Sequence, residues 1–402
     1  MSLRVITVPR EGTRAAAVLV LVKTGSKYEE KRDSGISHFL EHMLFKGTEK
    51  RTTPLAVAEE LDKVGGAFNA FTAEDYTGYY AKVNGKSLDL AIDWVSDIYQ
   101  NSLLPEKEVE KEKGVIKEEI NMRYDDPISF CDLLFQKLLY GDQPAGWDIA
   151  GTKESVSAIT RKDLLEYMQS QYTEENTVVV VSGNIDSGVE ERVRSSFSLS
   201  GTPKDCLPVK EEQSGVGFSF YEKKTDQTHI CLGVRAFNML NEKRHTQKII
   251  ATILGGMMSS RLFTRIREEM GAAYYVSTHL DDNPHTGVIL TRTGVDSNRA
   301  QLVVDAIMEE YKKISEERVS DAELQKAKDY IKGKTALSLE PSDALAYFYG
   351  MQELLQGKVL ELEEVFSLID QVTADDILAV SREIFVPSKV NLAILGPRSV
   401  SL

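Results

Sequence analysis

The sequence predicts an α+β protein of two homologous half-chain domains, each a mainly antiparallel sheet packed with helices. Three observations carry this. The first is an internal repeat. Residues 63–83 read KVGGAFNAFTAEDYTGYYAKV and residues 269–293 read EMGAAYYVSTHLDDNPHTGVILTRT. Both place Gly and small residues before an aromatic, then an alternating stretch, a turn, and Thr-Gly opening a second apolar strand, which is a hairpin used twice. The echo continues with VEKEKGVIKEE at Val109–Glu119 and LQKAKDYIKGK at Leu324–Lys334. The second observation is a stretch without periodicity, Leu199–Gly217, rich in Gly, Pro, Ser and charge, which reads as a linker. The third is that apolar strands (Ala15–Val22, Thr177–Ser182, Thr228–Val234, Val390–Ile394) alternate with long helical stretches such as Ser87–Asn101. Because successive strands include hairpins, a layered α+β arrangement is expected and a doubly wound parallel sheet is not. The expected division is 1–205, a linker at 206–216, and 217–402.

The length of 402 residues suits two domains of roughly 200 residues each. A net charge of −14 disfavours nucleic acid as a partner, since phosphate binding needs a basic surface. Three cysteines, Cys131, Cys206 and Cys231, are widely spaced, which argues against a disulfide scaffold or a cysteine-based zinc knuckle. Met1–Arg14 has no apolar core of signal-peptide length, and the longest apolar run, Ala15–Val22, is too short for a membrane span. The expectation is a cytoplasmic protein with no membrane partner.

The strongest chemical signal is His38-Phe39-Leu40-Glu41-His42. Ile36, Phe39, Leu40, Met43 and Leu44 follow helical spacing, so His38 and His42 lie one turn apart on one face and can share an ion. Glu41 falls within the same arc. Two imidazoles and a carboxylate with an open position select zinc, whose bound water turns acidic and can yield its proton to a neighbouring carboxylate. The order H-x-x-E-H is the zincin pentapeptide inverted. The other histidines, His229, His245, His279 and His285, show no such spacing.

A third ligand must come from elsewhere. The predicted helix Glu106–Arg123 carries Glu108, Glu110, Glu112, Glu118 and Glu119, most of them a solvated face. Glu112 and Glu119, seven residues apart, fall nearly on one stripe, while Glu118 points elsewhere. In the repeat, Ala327 stands opposite Glu112 and Lys334 opposite Glu119, and the second half has no H-x-x-E-H. Only the first half is expected to hold metal.

From GISHFLEHMLFKGT through VGGAFNAFT and EKEKGVIKEEI to MMSSRLFTRIREEMGAAYYV, the chain resembles the pitrilysin family of inverted-motif metallopeptidases. That family includes insulin-degrading enzyme and the mitochondrial processing peptidase β subunit, and the fold implied is of the LuxS/processing-peptidase type. The resemblance implies that His38, His42 and Glu119 hold one Zn2+ per chain, that Glu41 is the general base, and that Glu112 supports the site. It implies that Phe68, Asn69, Ala70 and Thr72 belong to an edge strand on which peptide substrate is laid by strand addition. It makes Arg267 and Tyr274 donors to the substrate and to the developing oxyanion, with Tyr275 the competitor for Tyr274. Short members work as dimers. Since this chain carries both the zinc motif and the Arg/Tyr pair, a homodimer is expected, the second domain of one copy closing over the zinc of the other. The expected activity is that of a zinc endopeptidase on short unfolded peptides or leader segments enclosed in a chamber. The alternatives are a selective processing peptidase for basic leaders and a catalytically silent scaffold subunit.

Overall fold

A computed structural model describes residues 3–402. The repeat appears as two five-stranded sheets of the same connectivity. In the first, β1 (Arg4–Pro9), β2 (Ala15–Val22), β3 (Ala67–Thr72), β4 (Thr77–Asn84) and β5 (Thr177–Gly183) lie in the order β1-β5-β2-β4-β3. In the second, β6 (Gly217–Glu222), β7 (Thr228–Ala236), β8 (Ala273–Asp282), β9 (Gly287–Val295) and β10 (Val390–Gly396) lie in the order β6-β10-β7-β9-β8. Only β1/β5 and β6/β10 pair in parallel; the other neighbours are antiparallel, as expected. The expected hairpins are β3–β4 and β8–β9, each leaving its first strand, β3 or β8, at a sheet edge.

The central strands are apolar without alternation because both faces of each sheet are covered. In the first sheet Val18, Val20 and Val22 join a core with Trp94, Val95 and Ile98 of the helix Leu88–Asn101. On the opposite face, Leu19, Leu21 and Val180 lie against Gly350 of the helix Ser342–Gln356. In the second sheet Leu232, Ile289 and Ile394 pack with Val303, Ile307 and Tyr311 of the helix Ala300–Glu316. Its other face, with Cys231, Leu290 and Leu395, meets Phe130, Leu133 and Phe135 of the helix Pro127–Tyr140.

The compact units therefore differ from the contiguous halves expected at 1–205 and 217–402. One unit comprises residues 1–121, 147–207 and 336–360; the other comprises 122–146, 208–335 and 361–402. Each half lends one helix to the other half's sheet, because an apolar sheet face left bare would stay in water at a cost of about 25 cal/mol per Å2. The stretch 199–216 contains no helix or strand. Among the described residues no helix is long and apolar enough to cross a membrane.

Candidate metal centre

The helix Ile36–Met43 buries Ile36, Phe39, Leu40 and Met43 in the first core, which turns His38 and His42 to the opposite face. It begins at Gly35, whose left-handed φ of 94° suits glycine, and a Cβ there would lie 2.6 Å from the Ala150 carbonyl oxygen. The ring of His38 approaches that of His42 with their Nε2 atoms 3.2 Å apart. Glu119, on the helix Glu106–Asp125, brings Oε2 to 3.6 Å from His38 Nε2 and 3.5 Å from His42 Nε2. Two ligands on a tetrahedral zinc at about 2.0–2.1 Å stand roughly 3.4 Å from each other. The three edges of this triangle match that spacing, so the donor set fits a single zinc ion. Among the described residues these three form the one group of His, Cys, Asp and Glu side chains with ligand atoms close enough to hold a metal.

Glu112 lies behind His42. Its Oε1 is 3.0 Å from His42 Nδ1, and its Oε2 accepts from Lys46 Nζ at 2.7 Å. With Nδ1–H donated to Glu112, Nε2 of His42 would be left free to hold a metal ion. Burial alone would raise the Glu112 carboxyl, but the His42 and Lys46 donors outweigh it and hold it below the ordinary value. The same contact works on His42 in return. Burial lowers its basicity, and the bond to Glu112 with the charges of Glu119 and Glu41 overcomes this, leaving the ring raised. Glu118 instead accepts from Asn121, and Glu110 pairs with Lys113, on the solvated side of the helix.

Glu41 Oε2 accepts from the Thr72 hydroxyl at 2.5 Å. Burial raises the Glu41 carboxyl, and that hydrogen bond and His42 only partly offset it. Thr72 ends β3, the edge strand expected to receive peptide. Phe68 turns inward onto Trp94, with ring centroids 5.0 Å apart, and the Ala70 N–H donates to Asn69 Oδ1 at 2.9 Å. Thus Thr72 joins the metal helix, and Phe68 anchors the strand from inside. Neither the Thr72–Glu41 bond nor Lys46 was signalled by spacing, because both are contacts between elements far apart in sequence.

The second unit holds Arg267 and Tyr274 together. The Arg267 guanidinium lies 5.1 Å from the Phe263 ring centre and 5.9 Å from that of Tyr274. Arg267 sits on a wide-turned π-helical segment, Phe263–Glu269, a form often associated with functional sites. Tyr274 is 76% exposed, whereas the Tyr275 hydroxyl is tied to His229 Nδ1 at 3.1 Å. The register gives the accessible hydroxyl to Tyr274.

Sequence comparison agrees with this architecture. Residues 4–152 match the family described as Insulinase (Peptidase family M16), and residues 158–331 match Peptidase M16 inactive domain. A protein of Bacillus subtilis (strain 168) named an uncharacterized zinc protease is 32% identical over 98% of this chain and 96% of its own length. One so named from Mycobacterium leprae is 36% identical over 98% of this chain and 90% of its own. The crystal structure of a protease from Helicobacter pylori superposes with a TM-score of 0.91 at 25% identity, covering 98% of both chains. The chain belongs to the M16 (insulinase) family of zinc proteases, in its short form.

Proposed function

We propose that the protein is a zinc endopeptidase acting on short unfolded peptides or leader segments, with Glu41 as general base. The observation that carries this is the triangle of His38, His42 and Glu119, with a half-buried carboxyl group one residue before the second imidazole. A zinc ion held there would supply a Lewis acid for the scissile carbonyl and the attacking water. Glu41 takes the proton from that water and passes it to the leaving amine. Thr72 holds the carboxylate in place while β3 offers its edge to the peptide backbone, so that many sequences can be bound. Arg267 and Tyr274 donate hydrogen bonds to the substrate and the developing oxyanion, each worth about 3 kcal/mol. The working particle is a homodimer, which gel filtration at working concentration tests; a monomer would remove that part.

The direct test of the base is Glu41→Gln. It should retain zinc and lose turnover by about 10²–10⁴-fold on an unstructured peptide. Undiminished turnover would exclude Glu41 as the base, and a wild-type protein that held zinc but cleaved no peptide would favour a silent subunit.

A further inference from the structure

The segment between β2 and the metal helix touches both elements of the site. Backbone N–H groups of Ser26 and Lys27 donate to the carbonyls of Ala73, at 3.3 Å, and Glu74, at 3.0 Å, in the turn that follows β3. This approach requires glycine at Gly25, where a Cβ would lie 2.1 Å from the Ala73 oxygen. The Lys27 ammonium, 1% exposed, is 2.8 Å from Asp75 Oδ2 and 3.3 Å from Glu74 Oε2 in that turn. Two residues later, the buried side chain of Glu29 serves the other element. Its Oε2 accepts from the Gly35 N–H at 2.7 Å and its Oε1 from the Ser37 N–H at 2.9 Å.

The metal helix depends on that carboxyl group. It is 8 residues long, and its N-cap residue, Gly35, has no side chain with which to cap it. A helix this short does not hold its own first turn in water. A slip of one residue would move each imidazole about 1.5 Å along the axis and turn it about 100°. The Ser37 hydroxyl, bonded to Tyr167 at 2.7 Å, and Tyr167, bonded to Thr24 at 2.7 Å, extend the same anchorage.

We propose that Lys27 and Glu29 are positioning residues of one brace, Glu29 setting the metal helix for zinc and Lys27 setting the β3 hairpin for peptide. The inference rests on the zinc-peptidase reading. It predicts a division of effects that general stabilisation would not produce. Glu29→Gln keeps the size but fixes an NH2 group, with two hydrogens, against one of the two N–H groups, where a carboxyl oxygen carries at most one hydrogen and can turn it aside. It should bind zinc about tenfold more weakly, in the range seen when groups supporting a metal site are changed. Lys27→Gln should leave zinc affinity unchanged and raise KM about fivefold, as loss of substrate registration does.

Zinc affinity is read by chelator competition, KM and kcat on an unstructured peptide, and folding by circular dichroism. The opposite pairing, a parallel change in both quantities for both variants, or a lowered melting temperature with zinc affinity and KM at wild-type values would each overturn the brace. Should Glu29→Gln fail to fold, Glu29→Asp, with its carboxylate one methylene short, takes the same test. A wild-type protein that bound no zinc or cleaved no peptide would instead defeat the underlying reading.

Discussion

The behaviour of individual residues follows from what faces them. Glu112 touches no ligand position, yet it receives His42 Nδ1 and Lys46 Nζ on its two oxygens. Glu112→Gln would leave Lys46 facing an amide and weaken the orientation of His42. Chelator competition should show zinc held about 10–100-fold less tightly, and an unchanged affinity would deny Glu112 that role. The two adjacent tyrosines should separate cleanly. Tyr274→Phe should lower kcat on the order of 100-fold with melting temperature unchanged, the loss expected for one oxyanion donor. Tyr275→Phe should cost about 1 kcal/mol of stability, the usual value of one hydrogen bond, and spare turnover. Equal kinetic effects from both would remove the distinction. The three residues of the candidate metal triangle were legible in the sequence to different degrees. The imidazole pair follows from helical spacing alone. Periodicity left Glu112 and Glu119 on one stripe, with family resemblance favouring Glu119, and the structure places Glu119 against both rings. Thr72 was included for its strand, and its bond to Glu41 could not be read from spacing.

At the scale of elements, the metal helix is held at its N-terminus by the buried carboxyl group of Glu29, and this has a pH signature. Burial pushes the Glu29 carboxyl from 4.5 up to about 8, against the pull of the backbone donors at Gly35 and Ser37. The folded protein then keeps a proton that the unfolded chain has released. Glu29's contribution to stability is fully present below about pH 4.5 and declines as pH rises towards 8. Denaturant midpoints should therefore show the gap between wild type and Glu29→Gln narrowing from pH 5 to pH 8; a constant or widening gap would contradict the assignment. Element boundaries were largely legible. Ala15–Val22 was expected as a strand and is one, and the helix expected at Glu106–Arg123 runs to Asp125. The strand shows as an unbroken apolar run buried on both faces, and the helix as a charged stretch with Val109, Ile116 and Ile120 on its buried side. Two helices, Pro127–Tyr140 and Ser342–Gln356, gave no sign of their destination, because the sheet a helix covers is a tertiary choice.

For the whole molecule, that exchange makes the halves interdependent. Residues 1–205 made alone would keep Pro127–Tyr140 without its sheet and would lack the helix that covers Leu19 and Leu21. Residues 217–402 made alone would have the complementary defect, with Leu290 and Leu395 uncovered. Each fragment should bind a hydrophobic dye and unfold without cooperativity, and mixing the two should restore a cooperative transition. A cooperatively folded single half would show that the exchanged helices are dispensable. The repeat predicted two related sheets, and these are present. It could not disclose that the chain interleaves them, because sequence similarity records ancestry of the halves and not which surface each helix finally covers. The proposed activity depends on His38, His42 and Glu119 acting together on one ion. Anomalous diffraction at the zinc edge from zinc-loaded crystals tests this most directly. The expected result is one peak per chain, about 2.0–2.2 Å from His38 Nε2, His42 Nε2 and a Glu119 oxygen. A peak elsewhere, or none at this position with zinc in excess, would contradict it.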